Sequence, residues 1–132
     1  MSARGVLQAA VAAQLRAEPG LAGVAVFDAP PVRGALPHAI VEEPTLSDWS
    51  TKSWVGAEAR IAVTVRDEGE RPVRLRALMA HAEEALGGLA GPVGGGWRVV
   101  RAVLVRSRVV KAKGDGWSGQ AEFRVRMWRE DG

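Results

Sequence analysis

The chain has 132 residues, 47% of them apolar and 25% charged, with no cysteine and a formal net charge of +3. That length fits one domain able to bury roughly two-thirds of its unfolded surface, and the missing cysteine excludes disulfides and thiolate metal sites. No apolar run approaches the roughly 20 residues of a membrane-spanning helix, and the charge is uneven: residues 1–96 carry 9 basic and 11 acidic side chains, residues 97–132 carry 9 and 4.

The first helix is expected over residues 2–17, where Ser2 is a capping residue and Leu7, Ala10, Val11 and Leu15 recur on one face. Gln8 and Gln14 interrupt its apolar character, so the basic-then-apolar order of a signal peptide is missing. The chain is expected to remain in the cytoplasm or in something assembled there. Pro19-Gly20 stops the helix, residues 24–27 form a short apolar strand, and Asp28-Ala29-Pro30-Pro31 turns the chain into a loop over residues 32–36. A second strand, residues 38–43, lies between Pro37 and Pro44. Residues 45–56 have no clear period and read as a polar loop carrying Trp49 and Trp54.

Strict alternation returns over residues 58–66, with Ala59, Ile61, Val63 and Val65 on one side and Glu58, Arg60, Thr64 and Arg66 on the other. After a charged turn over residues 67–70, a second helix is expected over residues 72–86, with Pro72 in its first turn and a stripe of Leu75, Leu78, Met79, Ala82 and Leu86. Gly87-Gly88 ends it, and residues 89–96 read as a glycine-rich connector. Residues 97–111 form a long basic strand. Its apolar phase slips at Ala102-Val103-Leu104-Val105, which predicts a bulge or bend. Lys113-Gly114-Asp115-Gly116 makes a hairpin turn, and residues 120–128 alternate cleanly, with Ala121, Phe123, Val125 and Met127 on one side. The tail, residues 129–132, is expected to fray. These elements predict a single α+β domain over residues 1–132: a mostly antiparallel sheet of four to five strands with two amphipathic helices on one face.

Catalytic and metal chemistry find little support. His81 with Glu83-Glu84 is the nearest approach to a ligand cluster, and a solvated helix face explains it better. Glu42 and Glu43 are adjacent on a strand and point to opposite faces, so they do not form an acid/base pair. One is expected to be exposed and the other ion-paired with an arginine. Ser47, Ser50 and Ser53 lack a nucleophile elbow, and Gly94-Gly95-Gly96 leads into a strand rather than the helix N-terminus of a phosphate cradle. No enzymatic activity, cofactor or metal is expected.

The stronger signal is the basic ribbon: Arg98, Arg101, Arg106, Arg108, Lys111 and Lys113 on one strand, with Arg124, Arg126 and Arg129 on its hairpin partner. Such a ribbon suits phosphates or an acidic protein, and Trp97, Trp117 and Trp128 nearby suit base stacking. Simple alternation places Arg106 and Arg108 on one face and Arg101 on the other. The charge is then divided, which favours a solvated or protein-contacting face over DNA binding. The rings of Trp49 and Trp54 either fold back on the core or plug a neighbouring subunit.

At this point the sequence resembles a known family. Val26-Phe27-Asp28-Ala29-Pro30-Pro31, Leu36-Pro37-His38-Ala39-Ile40-Val41 and Ser47-Asp48-Trp49-Ser50-Thr51-Lys52 are similar, in order and spacing, to three motifs of the small phage tail-completion family also known as DUF3168. The chain departs from the pattern at Phe27, where tyrosine is common, and at Trp54-Val55, where small or polar residues are usual.

The resemblance implies an α+β sandwich and a tail terminator of a siphophage-like particle or a gene transfer agent. Such a protein forms a hexameric ring at the head-proximal end of the tail tube, ends tube polymerisation and meets the head-completion (stopper) protein, while DNA passes through its lumen without sequence readout. It is assembled in the bacterial cytoplasm and becomes part of the particle, with no membrane partner. On this reading Asp48, Trp49, Ser50, Thr51, Lys52 and Trp54 form an assembly loop. Arg101, Arg106, Arg108, Lys111, Arg124 and Arg126 face the lumen or a partner. The alternative is a small nucleic-acid-binding module using the C-terminal hairpin.

Overall fold

Helix α1 (Ala3–Arg16) starts where the Ser2 hydroxyl accepts the Gly5 N–H at 3.0 Å, the cap its sequence predicts. The computed structural model describes residues 2–129. After a 3-10 turn (Pro19–Leu21) come β1 (Ala25–Phe27), β2 (His38–Val41), β3 (Thr45–Asp48), β4 (Val55–Glu68), α2 (Val73–Gly87), β5 (Gly91–Gly94), β6 (Trp97–Lys111) and β7 (Gly116–Arg129). Of the tail expected to fray, Arg129 instead ends β7, and residues 130–132 lie outside the described residues. Among the described residues no helix is long and apolar enough to cross a membrane.

The helices and the mainly antiparallel sheet appear as expected, but the sheet is larger and mixed. It has seven strands in the order β1-β2-β4-β7-β6-β5, with β3 also on β4. The two additional strands come from segments read as loops. β3 occupies the polar stretch before the tryptophans, and β5 is a four-residue Gly-Pro-Val-Gly segment. Neither is long enough to show a period, and pairing with a long neighbour supplies what propensity does not. Between β5 and β6, Gly94, Gly95 and Gly96 all have positive φ, so the expected flexible connector is a tight turn that side chains would disfavour.

β2 and β3 share one edge of β4. Val41 pairs with Val63 and Thr45 with Arg60, four residue steps against three, so the two strands are one strand bulged at residues 42–44. β1 pairs with β2 in parallel. A parallel pair needs a crossover, and residues 28–37 cross the helix-free face. They cover His38 and Ile40 there, and the His38 ring lies edge-on to Phe27 at 5.6 Å with Nδ1 3.1 Å from the Ala35 carbonyl oxygen.

The core lies between the helices and one sheet face. Ala59, Ile61, Val63 and Val65 of β4 and Ala121, Phe123, Val125 and Met127 of β7 meet Leu7, Val11 and Leu15 of α1 and Leu75, Met79 and Leu86 of α2. Burial of each large side chain stabilises the fold by about 1.5–3 kcal/mol. Alternation delivers every second residue of β4 and β7 to the opposite face, which no helix covers and which residues 28–37 cover only beside β2.

Candidate assembly site

The β3–β4 hairpin, read as a loop from its sequence, is closed by its own polar side chains. Trp49 N–H donates to the Gly56 carbonyl and Thr51 N–H to the Trp54 carbonyl, both at 3.0 Å, which narrows the turn to residues 51–54. The Asp48 carboxylate accepts the Ser50 N–H at 3.1 Å and the Ser50 hydroxyl at 2.6 Å, and that hydroxyl accepts the Gly56 N–H at 3.0 Å. Thr51 Oγ1 accepts the Ser53 N–H at 3.2 Å. Asp48, Ser50 and Thr51 are thus spent on shaping the hairpin. Lys52 is exposed at its tip, and the two indoles are its presented apolar surface.

Those indoles do not enter the core. Trp49 and Trp54 pack edge-on with centroids 5.1 Å apart, and Trp54 lies 6.5 Å from Trp128 of β7. The Arg126 guanidinium sits 5.3 Å over Trp49 while its Nε donates to Glu58 at 2.8 Å. That hydrogen bond holds the Glu58 carboxyl below its ordinary range. Trp49, Trp54, Trp128 and Val100 line an open cleft of about 270 Å³. Trp128 and Val100 are members that sequence reasoning missed. Trp128 shares the alternation phase of Arg124 and Arg126, but its meeting with Trp54 depends on strand register.

The other two ribbon tryptophans are not available for stacking on the basic face. Trp97 is buried in the core with Arg129 over it, and the Trp117 N–H donates to the Gly69 carbonyl at 3.0 Å.

The basic ribbon departs from its expected arrangement. β6 is bulged against β7 twice, between Val99 and Arg101 and between Leu104 and Arg106. Each bulge shifts the phase of β6 by one residue. Arg98, Arg101, Arg106 and Arg108 consequently face Trp128, Arg126, Glu122 and Gln120 in turn, all on the helix-free side. The expected division of Arg101 from Arg106 and Arg108 is therefore wrong. Lys111 is the residue that leaves the group: it pairs with Trp117 in the other phase, sits 5.0 Å over that ring and donates to the Gly114 carbonyl at 2.6 Å.

With Arg60 and Arg66 of β4, the uncovered face carries Arg60, Arg66, Arg98, Arg101, Arg106, Arg108, Arg124 and Arg126 against Glu58, Glu68 and Glu122. Ion pairs take up Arg126 with Glu58, at 2.8 Å, and Arg106 with Glu122, at 3.1 Å. Arg60 and Arg124 lie directly opposite each other, an unfavourable cross-strand pair.

One other expectation changes. Glu42 and Glu43 are both exposed, and Glu42 accepts the Thr64 hydroxyl at 3.0 Å rather than an arginine. The His81 side chain is half-exposed, as expected of a helix face, and its ring packs over Gly20 with Nδ1 3.7 Å from Glu18.

Residues 9–128 match the sequence family described as tail completion protein gp17. The fold is also similar to a chain in a solved structure described as the virion of a native gene transfer agent particle. The TM-score is 0.83 at 29% sequence identity, covering 97% of this chain and 99% of that one. No curated protein matches the sequence significantly.

Proposed function

The chain belongs to the tail completion protein gp17 family, and on that premise we propose that it completes the head-proximal end of a siphophage-like or gene transfer agent tail. It assembles in the bacterial cytoplasm as a ring, with six copies as the expected order. The ring ends tube polymerisation and joins the tube to the head-completion protein. Its role is structural, and its place is in the particle. The observation that carries this reading is the family match over residues 9–128, supported by the near-complete overlap with a chain of a gene transfer agent virion.

The uncovered arginine face supports passage of DNA. Its guanidiniums lie on a sheet surface with no helix to enter a groove, which suits phosphate contact without base readout. The same face favours a second reading, a module that binds nucleic acid on its own. Tight, salt-dependent retention of short duplex DNA by the free chain at physiological salt would favour that module over the tail protein.

The hairpin residues Asp48, Trp49, Ser50, Thr51, Lys52 and Trp54 are assigned to assembly, with Trp49 as the apolar anchor. The test is to purify particles from cells producing the chain and to probe them for it. The chain is expected in the particle fraction, and its absence there ends the tail reading. Trp49→Ala is expected to lower the yield of complete particles. Normal yield with that substitution would remove the hairpin from the assembly site without touching the family assignment.

A further inference from the structure

We infer that two copies of this chain join head to tail by strand pairing, the open edge of β6 in one copy against the open edge of β3 in the next. This rests on the ring reading above and specifies its contact.

Among the described residues, two stretches of the sheet rim pair on one side only and carry no proline. β5 covers β6 only at Trp97–Val99, so the edge of β6 beyond Val99 has no neighbour among the described residues. From Arg106 to Lys111 this strand is unbroken in register with β7, and Leu104, Val105 and Val110 beside it are large apolar side chains more than 40% exposed. An open edge of that kind templates another strand.

On the opposite rim β3 pairs only with β4, and its far side has no strand among the described residues. The remaining rims are closed. Arg16 donates to the Val26 carbonyl of β1 at 2.8 Å, and β5 carries Pro92, which has no N–H to donate to another strand.

Charge selects the pairing. From Trp97 to Lys111 every ionisable side chain is basic. From Glu42 to Thr51 every one is acidic, namely Glu42, Glu43 and Asp48, and all three are exposed. Among the described residues the cations near that rim are Arg4, which donates to the Pro44 carbonyl, Arg60 beside Thr45 on β4, Arg126 over Trp49 and already paired with Glu58, and Lys52 at the hairpin tip beyond the strand. Two β6 edges would repel each other, as would two β3 edges, so the twofold pairing is disfavoured and the β6–β3 pairing favoured. Strand direction alternates along β3-β4-β7-β6. A copy rotated about an axis along the strands therefore meets its neighbour antiparallel and continues the sheet. A contact between unlike patches propagates from copy to copy, and it closes into a ring when the rotation between copies divides a full turn.

The chain contains no cysteine, so introduced pairs report cleanly. Ser47 faces Glu58 on the helix-free side, the side that also holds Arg106, Arg108 and Val110. Ser47→Cys is combined in turn with Arg106→Cys, Arg108→Cys or Val110→Cys, which covers three registers. Within one chain β3 and β6 are three strand spacings apart, about 14 Å, whereas a disulfide needs Cα atoms within about 7 Å. Any bond is therefore between copies.

Oxidation of purified particles is expected to give a ladder of dimers, trimers and larger species for at least one double variant, with neither single variant producing it. Adding Arg101→Glu and Arg108→Glu to a ladder-forming pair that leaves both arginines intact is expected to abolish the ladder. Further addition of Glu42→Lys and Glu43→Lys is expected to restore it. No ladder in any double variant, or dimers from the β6 single variants alone, overturns the proposal. So does a ladder that survives the arginine reversal while retention on duplex DNA is lost, because it assigns the β6 charge to nucleic acid. Absence of the chain from the particles is a separate outcome that overturns the tail reading itself.

Discussion

Gly56 shows how a single residue decides what the hairpin presents. A Cβ built there would lie 2.4 Å from the Trp54 ring and 2.5 Å from the Trp49 carbonyl oxygen. The ring is the far end of a side chain that can rotate, but the oxygen belongs to the hairpin backbone. Gly56→Ala is therefore expected to destabilise the chain by about 1–3 kcal/mol, as overpacking does, with a lower Tm in thermal unfolding. Because Trp54 is displaced, indole fluorescence of the folded protein should shift as well. An unchanged Tm would mean that the hairpin yields freely. The sequence shows a small residue after Trp54-Val55, but not why: the reason is a close approach across the turn between residues that periodicity places in an aimless loop.

At the scale of elements, Asp67 joins the end of β4 to the first turn of α2. Its carboxylate is only 3% exposed and accepts Arg74 Nε at 2.8 Å and the Glu68 N–H at 2.8 Å. The Arg74 guanidinium, against the opposing effect of burial and with help from the Glu68 amide, holds the carboxyl below its ordinary value of 3.8. A depressed value means that the folded state binds the proton less readily than the unfolded chain. The stability this group contributes is full above the unfolded value and drains as pH falls through the lower folded one.

Asp67→Asn is expected to cost about 1–3 kcal/mol at neutral pH, the range for a buried charge-assisted hydrogen bond. It should also flatten the stability curve below about pH 4. Urea unfolding of both proteins at neutral and acid pH tests this, and parallel losses at both would contradict it. In sequence Asp67 reads as one of four residues in a charged turn, while its strand phase, shared with Ile61, Val63 and Val65, already points it inward.

Over the whole molecule, one sheet face is covered by helices and the other by arginines. Arg60 opposite Arg124 costs the isolated chain roughly 0.2–1 kcal/mol, a cost that a neighbouring polyanion would relieve. Arg124→Gln should therefore raise the Tm of the free chain at low salt. The gain should shrink as ionic strength rises and shortens the reach of exposed charges. Glu58 attracts both arginines, and a Tm that falls, or a gain insensitive to salt, would show that its hold on Arg124 outweighs the repulsion from Arg60.

The two helices, the long strands β4 and β7 and their inward residues were legible in the sequence, because periods of 3.6 and 2 persist over many residues there. The basic segment and the order of the family motifs were legible for the same reason: they are properties of the chain read in one direction. Tertiary structure alone decided that β3 and β5 are strands, that β1 runs parallel to β2, and that Trp128 and Val100 join the hairpin indoles. It also decided that Arg98, Arg101, Arg106 and Arg108 share one face with Arg124 and Arg126. Two single-residue bulges in β6 shift its phase against β7, and a bulge is a relation between two strands that neither sequence contains by itself.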